Sequence, residues 1–187
     1  MPVRFFPVAS AQARNVSDFG AVRGGGTRGH QGNDIMAPDG TPLVAVDDGE
    51  VRFGSDPLGG QIAVVYADDG THYYYAHLQG FAGSAPRRVN AGEVIGYVGR
   101  TGNAASTDPH LHFEVHPCPR GSRCAVDPAP LINSAPRAGA GGVGPAGGGV
   151  SSQLRTLAIL TLVGVGAWAA LNPRDASRLV RRYSPIR

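Results

Sequence analysis

Between Phe19 and Ile132 the apolar positions alternate with polar ones or fall in short runs, and turn residues separate the runs. The stretch "TPLVAVDDGEVRFG" holds two such runs split by Asp47, Asp48 and Gly49. "QIAVVYADDGTHYYYAHL" places β-branched and aromatic runs on either side of Asp68, Asp69 and Gly70, the pattern of a hairpin. "EVIGYVG" and "LHFEV" add two more short strands. Nowhere in this region does an apolar period of 3.6 residues persist, so the pattern predicts an all-β domain over residues 19–133.

Beyond Ile132 the pattern changes. "NSAPRAGAGGVGPAGGGVSS" buries too little apolar surface to offset its chain entropy, and residues 134–153 read as a flexible linker. Residues 154–171, "LRTLAILTLVGVGAWAAL", carry Arg155 as their only charge. As a helix they would span about 27 Å, just short of a hydrocarbon core. A segment apolar all round and set off by a glycine linker predicts a single C-terminal transmembrane helix, from Leu154 to Leu171, in a lipid membrane. The tail, residues 172–187, holds five Arg and one Asp and marks the cytoplasmic flank of such a span. Residues 1–18 form a proline-broken lead segment without the apolar core of a secretory signal.

Composition changes this picture little. The chain of 187 residues is 42% apolar and 17% charged, within the globular range, and its 28 Gly and 15 Pro suit a turn-rich β protein. All 17 basic residues are Arg and the net charge is only +3, with no Arg stripe interleaved with aromatics in the β region, so nucleic acid is not expected as a partner. Cys118 and Cys124, in "HPCPRGSRCAV", either close a small disulfide loop in an oxidising compartment or stay reduced.

The candidate chemistry centres on "STDPHLHFEV". Strand alternation turns His110 and His112 to one face, where two titratable rings make a poor core but a plausible site. His30 and Asp34 form HxxxD in "GHQGND" at the mouth of a strand, between Gly29 and Gly32. Imidazole and carboxylate are zinc ligands, and a third protein ligand with an open fourth position makes a site catalytic. His77 ends an aromatic strand in "THYYYAHL", and alternation groups it with Tyr73 and Tyr75 on one face. His72 and His116 lack comparable context and read as non-functional.

HxxxD, then "YAHL", then "HLHFEV", with the glycine punctuation of "DGTPLVAVDDGEV" and "VNAGEVIGYVGRTGNA" and the closing "VDPAPLI", resembles the lysostaphin-type (LytM-like) zinc endopeptidases of bacterial peptidoglycan. The resemblance implies a compact, barrel-like antiparallel sheet of the duplicated hybrid motif kind. It implies one Zn²⁺ held by His30, Asp34 and His112, with His110 acting on the attacking water and His77 donating to the oxyanion. The substrate implied is a stem or cross-bridge peptide of peptidoglycan, in a narrow groove floored by Tyr73 and Tyr75. Thr107, Asp108 and Pro109 stand where many relatives carry Gly-Pro, so the loop before the HxH pair is expected to have its own shape. Asn15 is a candidate latch on the metal. The D-Ala-D-Ala carboxypeptidases share a His-Asp-His set but space the first pair by six residues. A non-catalytic peptidoglycan-binding module and a structural envelope or virion protein are the rival classes. With the membrane segment, the expected setting is an anchored enzyme facing the cell wall, or one on a phage virion membrane.

Overall fold

The computed structural model describes residues 3–139. The strands in chain order are β1 (Arg14–Asn15), β2 (Val22–Arg23), β3 (Arg28–Gly29), β4 (Asn33–Met36), β5 (Pro42–Val44) and β6 (Gly49–Asp56). They continue as β7 (Gly60–Ala67), β8 (His72–Ala76), β9 (Gly80–Phe81), β10 (Arg87–Val89), β11 (Val94–Tyr97) and β12 (His110–His116), before one short helix, α1 (Ala129–Ile132). Seven of them form a sheet in the order β1-β4-β12-β8-β7-β6-β10, and β5-β11-β9 form a second. All pairings within the two sheets are antiparallel. The all-β expectation holds, but β1 and β10 remain as edges of the larger sheet, which is therefore open and not a closed barrel.

The predicted hairpin is β7 and β8, turning at Gly70 with φ of +90°. The other Asp-Asp-Gly turn, at Asp47, Asp48 and Gly49, instead carries the chain from the small sheet to the large one, because β5 and β6 belong to different sheets. One buried apolar cluster joins the two sheets, with Leu43 and Ile95 from the small sheet and Ile35, Val65, Tyr73, Tyr75, Leu111 and Phe113 from the large one. Tyr75 adds a polar tie: its hydroxyl donates to the Val44 carbonyl and accepts from the Val46 N–H, each at 3.1 Å.

The lead segment packs against the β domain. Phe6, Val8 and Ala13 are buried in the core, Val8 bridges to Leu43, Phe6 bridges to Arg137, and β1 pairs with β4. Asn15 is taken up in the same packing, donating to Asn133 Oδ1 at 2.9 Å and to Ser17 Oγ at 3.1 Å, and so does not latch the candidate metal site. The segments 154–171 and 172–187 and residues 140–153 of the linker lie outside the described residues, among which no helix is long and apolar enough to cross a membrane.

Candidate active site

Strand β12 runs between β4 and β8, and its register sets His112 opposite Asp34 on one side and Ala76 on the other. Cross-strand partners share a face, so His110, His112, Glu114 and His116 form one row, with Asp34 and Met36 beside it on β4 and His72, Tyr74 and Ala76 on β8. His30 arrives from the β2-β3 hairpin, its backbone paired with Ala21 and Gly20. Gly32 lets this connection lie flat on β12: a Cβ there would stand 2.2 Å from the Phe113 carbonyl oxygen.

The three expected ligand atoms converge. His30 Nε2 is 2.7 Å from His112 Nδ1, and each is 3.2 Å from Asp34 Oδ1. The far nitrogen of each ring faces oxygen acceptors. His112 Nε2 meets Glu114 Oε1 at 2.9 Å, and His30 Nδ1 meets the Asp18 carbonyl and Asp18 Oδ2, both at 3.2 Å, with an Arg23 guanidinium nitrogen at the same distance but committed to Asp18 and Asp34. Those partners draw the ring protons outward, leaving two nitrogen lone pairs and a carboxylate oxygen facing one another. Three acceptors this close repel unless a proton or a metal cation lies among them. Tetrahedral zinc with ligand bonds near 2.0–2.2 Å requires ligand spacings of roughly 3.3–3.6 Å, which two of the three already approach, and the donor set fits zinc.

The electrostatics report the same convergence. Burial works to lower the pKa of His112, but hydrogen bonds with Asp34 and Glu114 raise it to about 9. Burial alone would raise the Asp34 carboxyl, yet hydrogen bonds with His112 and His30 hold it far below the usual carboxylate range. Its other oxygen accepts from Arg23 at 3.1 Å, and Arg23 also pairs with Asp18.

His77 and His110 complete the cluster, their rings edge to face with centroids 5.0 Å apart. His110 Nδ1 donates to the Asp108 carbonyl at 2.8 Å, and His77 Nδ1 donates to the Thr101 carbonyl at 2.9 Å. A carbonyl can only accept, so each ring, when neutral, carries its proton on Nδ1 and keeps Nε2 as a lone pair. His110 Nε2 lies 3.9 Å from Asp34 Oδ1. Burial, with the adjacent His110, lowers the His77 pKa to about 4. A neutral His77 ring presents Nε2 toward His110 and the groove.

The two tyrosines fall elsewhere. Tyr73 and Tyr75 are fully buried in the core on the opposite face of β8, so neither floors the groove. Strand alternation fails at its last step because β8 ends at Ala76 and His77 takes a φ of +67°, which swings its ring to the face of Tyr74. Gly99 permits this turn, since a Cβ there would come within 2.4 Å of the Gln79 nitrogen. The cluster opens into a groove of about 620 Å³, lined among others by Arg28, Leu58, Tyr74, Asn103, Thr107 and Arg123. Tyr74 is the lining tyrosine; its hydroxyl donates to Asp56 at 2.7 Å and its ring stands edge-on to His112.

Asp18, Arg23, Tyr74, Glu114 and His116 are the neighbours that sequence reasoning missed. Alternation from His110 would have found Glu114 and His116. Nothing local marked the other three.

The span 28–128 matches peptidase family M23, and it contains His30, Asp34, His77, His110 and His112. The chain belongs to peptidase family M23. Among M23-like relatives it is similar to the DD-carboxypeptidase/endopeptidase Mpg of Neisseria meningitidis, 44% identical over 86 residues that make up 46% of this chain and 19% of that protein. It is also similar to lysostaphin of Staphylococcus simulans, 37% identical over 131 residues, 68% of this chain and 25% of that protein. The match thus spans about a fifth to a quarter of these relatives' length. The solved structure of lysostaphin, an antimicrobial peptidase, superposes with a TM-score of 0.61 at 30% identity, covering 78% of this chain and 61% of that one. A zinc-containing peptidase from Vibrio cholerae superposes with a TM-score of 0.55 at 30% identity, covering 62% of this chain and 37% of that one. The antiparallel M23 fold and the His30, Asp34 and His112 metal site therefore stand together in this chain.

Proposed function

We propose that the chain is a zinc endopeptidase that hydrolyses peptide cross-links of bacterial peptidoglycan. One observation carries the reading: three acceptor atoms that call for a cation, and two further imidazole acceptors, share the floor of a groove open to a peptide. Zinc held by His30, Asp34 and His112 would supply Lewis-acid chemistry, polarising a scissile carbonyl and making a water acidic enough to lose its proton near neutral pH. A single carboxylate among the ligands leaves the ion's charge only half neutralised.

The chain's own residues then handle protons. His110 accepts the proton of the attacking water at Nε2, because the Asp108 carbonyl already occupies its Nδ1 proton. The same carbonyl stabilises the imidazolium, which passes its proton to the departing amine. His77, held by the Thr101 carbonyl, offers a second acceptor that aligns the water. Tyr74 walls the groove with its hydroxyl tied to Asp56.

Support for the substrate class comes from the family resemblance and from relatives named as endopeptidases. The Cys118–Cys124 disulfide suits an oxidising, extracytoplasmic compartment, where peptidoglycan lies. Anchoring through Leu154 to Leu171, on a bacterial envelope or a phage virion membrane, rests on the hydropathy of that segment alone. A module that only binds the wall has no use for both His77 and His110 beside three converging ligand atoms. Metal analysis of the purified chain tests the reading: one zinc per chain, lost in His30→Ala and Asp34→Ala. Stoichiometric metal in either variant would overturn the ligand set.

A further inference from the structure

The row on β12 does not end at the ligand. Glu114 is 8% exposed and His116 only 2%, and the reaction uses neither. The Cys124 backbone N–H donates to His116 Nδ1 at 3.1 Å, and a backbone amide cannot accept. A neutral His116 must therefore carry its proton on Nε2, which meets Glu114 Oε2 at 2.6 Å. The second carboxylate oxygen, Oε1, meets His112 Nε2 at 2.9 Å. The directions compose into one chain: Cys124 amide to His116, His116 to Glu114, His112 to Glu114, which leaves Nδ1 of a neutral His112 as the lone pair aimed at His30 and Asp34.

The anchor of this chain is itself fixed. Cys124 is cross-linked to Cys118, whose N–H bonds the His116 carbonyl at 2.9 Å. His72 stacks on His116 with parallel rings 4.6 Å apart, and its Nδ1 bonds the Cys118 carbonyl at 3.2 Å. Val126 bonds back to Val115 at 3.0 Å just beyond the loop.

We propose that Glu114 and His116 are positioning residues, pinned by the Cys118–Cys124 loop, which lock His112 in the tautomer and orientation that make it a metal ligand. The proposal rests on the zinc reading above. Partners of this kind typically contribute about 10- to 100-fold to metal affinity.

Zinc affinity, measured by competition with a colour-forming chelator on the full chain, tests it. His116→Phe keeps the ring that stacks on His72 but removes the N–H that reaches Glu114. His116→Gln loses the ring but returns an N–H near the same place. The proposal predicts about 10-fold weaker zinc binding or worse for His116→Phe, and affinity within about 3-fold of the parent for His116→Gln. A space-filling role predicts the reverse order, and that order overturns the proposal. Glu114→Gln, which keeps volume but turns an amide N–H toward one of the two imidazole N–H groups, should weaken zinc about 10- to 100-fold and shift the His112 ¹⁵N resonances away from a single tautomer. Unchanged affinity in a folded Glu114→Gln overturns it too. Replacing both cysteines by Ala should weaken zinc in the parent but not in the His116→Phe background, and an equal loss in both refutes anchoring by the loop. A parent chain that binds no zinc at all would instead sink the zinc reading, so the two failures are distinguishable.

Discussion

Removing either non-ligand histidine should separate chemistry from metal binding. In His110→Ala the three ligand atoms keep their spacing, because the His110 ring bonds only the Asp108 carbonyl and stands 3.9 Å from Asp34. His110 and His77 are 8% and 7% exposed and line the groove, so truncation opens space toward solvent and leaves no sealed core cavity. Zinc content and melting temperature should therefore stay close to the parent values. The rate should not. A positioned base contributes typically 10²- to 10⁴-fold, and the second imidazole, with ring centroids 5.0 Å from the first, can partly substitute. Each single variant is thus expected near the lower end, about 10²-fold in kcat, or about 2.7 kcal/mol of barrier. The double variant should lose more than either, but less than the product of the two. The assay is initial rate on a soluble cross-linked peptide fragment, with zinc counted in the same samples. Full activity in a zinc-loaded His110→Ala would refute the assignment of the base, and loss of zinc in either variant would refute the separation of roles.

Three further outcomes follow from the geometry. Tyr75→Phe strips the hydroxyl shared by Val44 and Val46 and should lower stability by about 1–3 kcal/mol in denaturant titration, with zinc binding unchanged; an unaltered midpoint contradicts the tie. In the chelated chain the His112 pKa, raised to about 9 from an unfolded value near 6.5, contributes stability that is full below about pH 6.5 and lost as pH rises through 9. Melting temperature should fall across that window, and saturating zinc should reduce the fall because metal replaces the proton; identical curves with and without zinc would contradict the shared site. The segment from Leu154 to Leu171 should keep the chain in the membrane pellet during alkaline carbonate extraction, and release to the supernatant would end the anchoring reading.

Much of the site was legible because its chemistry follows local rules. HxH at strand spacing puts two imidazoles on one face, and HxxxD at a strand mouth supplies the complementary pair. The misreadings come from places where local rules stop. Tyr73 and Tyr75 were grouped with His77 by alternation, which the positive φ at His77 interrupts. The lead segment showed no strand pattern because prolines break it, yet Phe6 and Val8 reach the core through isolated bridges that leave no periodic trace. The antiparallel sheet was expected, but its open edges at β1 and β10 depend on long-range strand order, which the local pattern does not encode. Glu114 and His116 lay in view on β12, but what they hold depends on the Cys124 amide and on His72, brought in by long-range packing.

Release of new amino groups from purified peptidoglycan by the full chain tests the central claim most directly, since it counts cut peptide bonds and is blind to glycan cleavage. The account predicts steady amine release at neutral pH that stops on chelation and returns with about one equivalent of zinc per chain. Walls of varied cross-link chemistry should all be offered, so that a narrow bond preference is not mistaken for inactivity. No amine release from any of them by the zinc-loaded chain would contradict it.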